Sequence, residues 1–339
     1  MATNSIQTQR WLCTQLQQGW QGLTRTEQSL PPPEPGEVQL RMLTAAANFP
    51  DLLMLQGAYQ FKPELPFAPG MEGCGVVIAT GDRVSHLQPG QRLMVGARCG
   101  LFATTVNVPQ QACTLAPADL SDSEAAAMRV PFLTAWIALK HRAALQAGEK
   151  VLVHGATGGV GMAAVHLAQH MGAEVMATSS SADKLQKLMQ TASPPARTLV
   201  LDADATNLKE AVLDWTQGAG ADVIYDPVGG AVFDQSCRCI SWSGRLLVIG
   251  FASGSISRIG VNIPLIKGFS IMGVRAGETT RRNPKLAAQA AQAQDEAIQA
   301  GIRPHIYQEI PFDQAPLTLA ALERREVIGK ITTRISHPT

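Results

Sequence analysis

The densest chemistry in the sequence lies in Val151-Leu-Val-His-Gly155-Ala-Thr-Gly158-Gly159-Val160-Gly161. An apolar strand runs into a Gly-x-x-Gly-Gly-x-Gly loop, and helical spacing starts directly behind it. Glycines at such a junction let the backbone turn tightly and approach a pyrophosphate, and the helix behind offers free N–H groups and the positive end of its dipole. An ordinary glycine turn is the bland alternative, and the strand-to-helix context speaks against it. The next strand, 174–178, decides which dinucleotide is bound. A carboxylate at its tip would hold a ribose 2′-hydroxyl, but the tip reads Ser179-Ser180-Ser181 with Lys184 beyond. Hydroxyls and an ammonium suit a 2′-phosphate, which favours NADPH. Against this, Asp183 is close by, Asp202 and Asp204 follow the third strand, and the serines could serve only to cap the next helix.

Other reactive residues form weaker patterns. His166-x-x-x-His170 places two imidazoles on one helix face, yet the Glu of a His-Glu-x-x-His site is missing. Cys237 and Cys239 would point apart on a helix. Cys74, Cys99 and Cys113 have no knuckle spacing and read as small buried apolar residues. Gly250-Phe-Ala-Ser253-Gly254 is not a hydrolase elbow.

Two kinds of element must position these residues. The first ~125 residues read as short strands with Gly/Pro corners, at 38–43, 74–79 and 92–95. Ser121-x-x-Glu124 is a capping box that opens an Ala-rich helix. Strand and helix then alternate: strands at 151–154, 174–178, 222–225, 245–251 and 270–274, helices at 159–171 and 182–189. Such alternation predicts a parallel sheet covered on both faces. A last helix opens at Asn283-Pro284 and stops at Gly301, and 330–335 reads as a closing strand.

Composition narrows the partners. The 339 residues carry 28 Lys+Arg against 27 Asp+Glu, a net charge of +1, which supplies no global field for nucleic acid or an anionic membrane. Six cysteines in such a chain make no disulfide framework. The N-terminus lacks the apolar stretch of a secretory signal, and the longest apolar run, 125–139, is too short to span a bilayer and contains Arg129 and Pro131. A cytoplasmic protein is expected.

The sequence resembles the medium-chain dehydrogenase/reductase superfamily, in its zinc-free quinone oxidoreductase (zeta-crystallin-like) branch. The resemblance rests on Asn48-Phe-Pro-Asp-Leu-Leu, Gln56-Gly-Ala-Tyr59, Leu65-Pro-Phe-Ala-Pro-Gly-Met-Glu-Gly73, Pro89-Gly-Gln-Arg92, Leu133-Thr134-Ala135, the glycine loop, Tyr225-Asp-Pro-Val-Gly-Gly230 and Gly244-Arg-Leu-Leu-Val-Ile-Gly250. It implies an α/β chain: a GroES-like β-rich catalytic domain at 1–126, a Rossmann doubly wound parallel-sheet domain at 127–276, and a return to the catalytic domain over 277–339. It also implies a homodimer through edge strand 270–274. Zinc members carry Cys where this chain has Asn48 and His where it has Met71, so no metal is expected.

The activity implied is NADPH-dependent hydride transfer to a quinone or another electrophilic α,β-unsaturated carbonyl. Asn48, Tyr59 and Thr134 are the implied catalytic residues. Tyr59 would either donate to the substrate oxygen or merely wall the pocket. Gly155, Thr157, Gly158, Gly159, Val160 and Gly161 would cradle the pyrophosphate, and Ser179, Ser180 and Lys184 the 2′-phosphate. Asp226, Pro227, Val228, Phe251, Ala252 and Ser253 would line the cofactor groove. The chain departs from the family at Arg129 and Arg275, either of which could meet an anionic substrate group or lie at a surface. An enoyl-thioester (acyl-CoA) reductase on the same scaffold and a non-catalytic NADPH- or RNA-binding protein are the competing readings.

Overall fold

The computed structural model describes residues 5–191 and 194–336. The chain divides into two units, Met1–Val130 with Pro304–Thr339, and Pro131–Arg303. In the first, β1 (Ile6–Cys13) and β2 (Leu23–Leu30) make an antiparallel ribbon. Then come β3 (Glu37–Ala46), α1 (Phe49–Leu55), β4 (Glu72–Thr80), β5 (Arg92–Gly96), β6 (Thr105–Pro109), β7 (Cys113–Leu115) and α2 (Asp122–Ala127). Next, α3 (Arg129–Trp136) carries the chain over the unit boundary. The second unit alternates through β8 (Lys150–Val153), α4 (Gly159–His170), β9 (Glu174–Ser179), α5 (Ala182–Leu188), β10 (Arg197–Val200), α6 (Leu208–Trp215), β11 (Ala221–Asp226), α7 (Ala231–Cys239) and β12 (Ile240–Val248). It closes with α8 (Asn262–Lys267), β13 (Ser270–Gly273), α9 (Ala276–Arg282) and α10 (Pro284–Gln299). β14 (Ile306–Pro311), α11 (Pro316–Glu323) and β15 (Lys330–Arg334) return to the first unit.

The first unit is built on a seven-stranded sheet, ordered β14-β15-β3-β4-β5-β7 with β6 added to β3. Its register sets the site. Ala46, the last residue of β3, pairs with Glu72 at the start of β4 and with Thr332 in β15. Three neighbouring strands thus bring residues 48, 72 and 330 to the same end of the sheet. Beneath lies an apolar core of Val38, Leu40, Met42, Leu55, Leu93 and Phe102, all wholly buried or nearly so.

The second unit is a six-stranded, all-parallel sheet, ordered β10-β9-β8-β11-β12-β13. The order reverses between β8 and β11, and ligands of such sheets bind at the strand C-termini beside that switch point. Val151–Val153 and Val223–Tyr225 are fully buried, as both faces of a parallel sheet require.

The return to the first unit begins at Pro304 rather than at 277. Ala276 and Leu286 join Ile137 in an apolar cluster of the second unit, flanked by Leu133, Trp136 and Val274. At the other boundary, 127–130 stay with the first unit, where the Val130 N–H donates to Glu72. The apolar run 125–139 is three pieces instead of one helix: α2, α3 and a widened π turn at Ile137–Arg142. Ser121 and Glu124 exchange side-chain and backbone bonds as a capping box should.

Candidate active site

In the first unit, Asn48 stands at the N-cap of α1 and is 6% exposed. Its backbone N–H donates to Asp51 Oδ2 (2.9 Å), while Asp51 Oδ1 accepts from the Gly70 N–H (2.8 Å). Its carboxamide joins a buried charge cluster. Nδ2 donates to Glu72 Oε1 (3.0 Å), and Oδ1 accepts from Lys330 Nζ (2.6 Å). Lys330 Nζ also donates to Glu72 Oε1 (2.7 Å) and to the Ala47 carbonyl (2.9 Å). Glu72 Oε2 accepts from the Val130 N–H at 2.8 Å. Glu72 is 0% exposed and Lys330 4%. Burial pushes the Asp51 carboxyl up to about 6, against the pull of the Gly70 and Asn48 N–H groups and of Lys330.

Tyr59 is half-buried against the first unit's core, as is Met71. Arg129 lies in the same unit, where it donates to Thr114 Oγ1 (2.8 Å) and packs over Gly96. Sequence reasoning singled out Asn48 but missed Glu72 and Lys330. Glu72 sits in a quoted motif. Lys330 is 258 positions away and carries no local signal.

In the second unit, the glycine loop takes the form its chemistry demands. Gly155 has φ +53° and lies within 3.4 Å of Val228 and Pro227, measured from where a Cβ would stand. At Gly161 a Cβ would come within 2.2 Å of the Gly155 carbonyl oxygen, so no side chain fits. Gly158 is the N-cap of α4 and no side chain caps the helix, which leaves its first N–H groups for an outside acceptor. Gly158, Gly159 and Val160 are half-buried, and Thr157 Oγ1 lies 3.4 Å from Ser179 Oγ.

At the β9 tip, Ser179 is buried, Ser180 is exposed and Lys184 is half-buried. Ser181, not Ser179 or Ser180, caps α5, accepting from the Lys184 N–H. Asp202 turns onto its own loop, accepting from the backbone and hydroxyl of Thr206 and the N–H of Asn207.

The groove residues divide. Asp226 is 1% exposed and faces inward, its Oδ1 accepting from Val228 N–H (2.8 Å) and Gly229 N–H (2.9 Å). It therefore builds the loop instead of lining the groove, and burial raises its carboxyl to about 6. The Pro227 and Val228 carbonyls accept from the Ala252 and Ser253 N–H groups, which joins the loops behind β11 and β12. Phe251 packs beside Gly229. Thr134 is half-buried on α3, and Arg275 is exposed at the start of α9. His154, which sequence reasoning passed over, is fully buried directly before Gly155. Its ring bridges Thr178 and Ser236, both at 2.8 Å, and burial alone drops it to about 3.

This fold has known relatives. The family model described as alcohol dehydrogenase GroES-like domain matches residues 34–119, and that described as zinc-binding dehydrogenase matches 159–292. A quinone oxidoreductase-like protein 2 homolog of Nematostella vectensis is 36% identical over 87% of this chain and 80% of its own. Quinone oxidoreductase-like protein 2 of Bos taurus is 32% identical over 95% of both chains. The chain belongs to the quinone oxidoreductase-like branch of the medium-chain dehydrogenase/reductases. That superfamily is one of oxidoreductases. Among solved structures, a mycobacterial protein complexed with NADPH is 26% identical, with a TM-score of 0.88 over 96% of this chain and 99% of its own.

Zinc, which the name of one matched family implies, does not fit this member of the quinone oxidoreductase-like branch. Zinc takes thiolate, imidazole and carboxylate donors. Here the two ligand positions hold an amide and a thioether, and an ammonium occupies the oxygens of Asn48 and Glu72. Among the described residues no group of three or more His, Cys, Asp or Glu could hold a metal ion, His166 and His170 included. Burial pushes the thiols of Cys74, Cys113 and Cys239 up to about 12 and that of Cys237 to about 11, as suits small buried apolar residues.

Proposed function

We propose that the protein is an NADPH-dependent, zinc-independent reductase of a quinone or a similarly electrophilic α,β-unsaturated carbonyl. The observation that carries this reading is the glycine cradle at the switch point with a hydroxyl- and lysine-bearing β9 tip beside it. Asp202, one of the three carboxylates that could compete for that role, accepts from Thr206 and Asn207 within its own turn. The named activity of the quinone oxidoreductase-like relatives and the NADPH bound to the mycobacterial neighbour support it.

When bound, NADPH supplies the hydride; a quinone is already electrophilic enough to need no Lewis acid. The chain's own work is to bind and orient. Gly155, Thr157, Gly158, Gly159, Val160 and Gly161 would hold the pyrophosphate. Ser179, Ser180 and Lys184 would hold the 2′-phosphate, and the 227–228 and 251–253 loops the nicotinamide ribose side. Asn48, Tyr59 and Thr134 are proposed to face the reacting groups, with a Tyr59 hydroxyl or water meeting the charge that develops on the acceptor oxygen. We read the protein as cytoplasmic, on its six unpaired cysteines; among the described residues no helix is long and apolar enough to cross a membrane.

The test is a substrate panel at fixed NADPH. Turnover of 1,4-benzoquinone well above that of crotonyl-CoA supports the reading. Crotonyl-CoA as the better acceptor would move the assignment to enoyl-thioester reduction, with exposed Arg275 as its phosphate contact. NADPH binding without any turnover would leave a binding protein.

A further inference from the structure

We propose that Lys330 is the resident cation of the first unit's site: its ammonium, held where no metal donor set exists, neutralises Glu72 and fixes the Asn48 carboxamide in one orientation. The geometry is closed. An ammonium has three donors, and Lys330 uses them on Asn48 Oδ1 (2.6 Å), Glu72 Oε1 (2.7 Å) and the Ala47 carbonyl (2.9 Å). Glu72 in turn spends Oε1 on Lys330 and Asn48, and Oε2 on the Val130 N–H. Flipping the Asn48 amide would set its NH2 against the ammonium and its oxygen against the carboxylate. Both contacts would turn from attraction to repulsion in a site whose two ions are 0% and 4% exposed. The amide therefore has one orientation, and Lys330 and Glu72 impose it.

Charge balance favours these groups together, since Lys330 is the cation that meets buried Glu72 and also pulls on the buried Asp51 carboxyl. A buried carboxylate without a cation is strongly unfavourable, and a divalent ion is one way to balance it. Here the balance is a side chain from β15, brought into place by the pairing of Thr332 with Ala46. Lys330 is thus a positioning residue, acting through Asn48. The part of the proposal that concerns turnover rests on the reading of Asn48 as a residue facing the reacting groups. The part that concerns the cation does not.

The experiment has two arms. In the first, the purified wild-type protein is analysed for metal by mass spectrometry and assayed with and without a chelator. Less than a tenth of a zinc per chain is expected, with unchanged thermal stability in chelator. One zinc per chain overturns the proposal whether or not the protein turns over a quinone. In the second arm, Lys330→Ala is compared with Lys330→Met and with the charge-neutral double variant Glu72→Gln/Lys330→Met. Ethylammonium chloride is expected to raise the melting temperature and rate of Lys330→Ala, and tetramethylammonium, which has no N–H donors, is not. The double variant is expected to fold more stably than Lys330→Met while its kcat stays at least tenfold below wild type, with NADPH affinity unchanged. Wild-type kcat in the folded double variant would remove the positioning role. Equal response to both ammonium ions would remove the cation role. Absence of quinone turnover in the wild type would count against the functional reading, and the metal content and ammonium-dependent melting would still decide the cation.

Discussion

At single residues the site is set by exclusions that side-chain volume and charge enforce. At Gly161 the space is taken by the Gly155 carbonyl, so the glycine pattern that looked like a motif is a steric necessity. The proposed selectivity for NADPH rests on Ser180 and Lys184. Removing both by alanine should weaken NADPH binding by about tenfold or more, near 1.4 kcal/mol, and leave NADH binding within about twofold. A fluorescence titration of each cofactor checks it, and equal losses for both would contradict the assignment.

His154 carries a pH dependence of defined sign. Its native value of about 3 lies below the ordinary value of 6.5, so the unfolded chain binds the extra proton. The stability it contributes is present above pH 6.5 and is lost as pH falls toward 3. Between pH 7.5 and 5 this amounts to about 2 kcal/mol. Asp51 and Asp226 work the other way. Their native values near 6 exceed the ordinary 3.8, so their contribution is fully present below 3.8 and is lost as pH rises through 6. Urea denaturation of wild type and His154→Gln at pH 7.5 and 5.0 separates them: the variant should lose less stability on acidification. The glycine loop, Ser179, Ser180 and Lys184 stand out as candidates because each sits in a local pattern, and Asn48 stands out through the family resemblance. Glu72, Lys330 and His154 were not assigned, because their meaning depends on partners 24 to 258 residues away.

At the scale of elements, strand order does most of the positioning. The alternation after Ser121 announced the parallel sheet, since periodicity and turn residues are local properties. The 3-2-1-4-5-6 order around β8 places Gly155 and the 226–230 loop on either side of the switch point. What periodicity could not show was the direction of Asp226. It lies at the end of a strand whose tip faces the groove, yet its carboxylate turns inward to hold Val228 and Gly229. Asp226→Ala should therefore act through the loop, with a destabilisation of about 2–3 kcal/mol from two lost bonds and NADPH affinity lowered at least fivefold. Asp226→Asn, which keeps an acceptor, should recover most of both. Matched losses for Ala and Asn would mean that charge, not loop geometry, matters. The boundary at Pro304 was equally hidden, because the amphipathic pattern of α10 says that it packs and not where. The cluster of Ile137, Ala276 and Leu286 supplies that answer.

For the whole molecule, the second unit leaves an apolar surface near its edge strand. β13 has no neighbour on its outer side among the described residues. Trp242 is 75% exposed, Val261 86%, Leu265 79% and Ile266 70%. An unpaired edge beside so much exposed apolar surface invites a partner strand. The homodimer expected from the family is our proposal for that surface. Light scattering should give twice the 36.1 kDa chain mass, and Leu265→Glu/Ile266→Lys should give the chain mass itself. A monomeric wild type would contradict it. Initial rates of NADPH and NADH oxidation with 9,10-phenanthrenequinone in chelator-treated buffer test the proposed reaction. Turnover is expected to survive chelation, with kcat/KM for NADPH at least tenfold above that for NADH. Preference for NADH, or activity that vanishes with the chelator and returns with zinc, would contradict it.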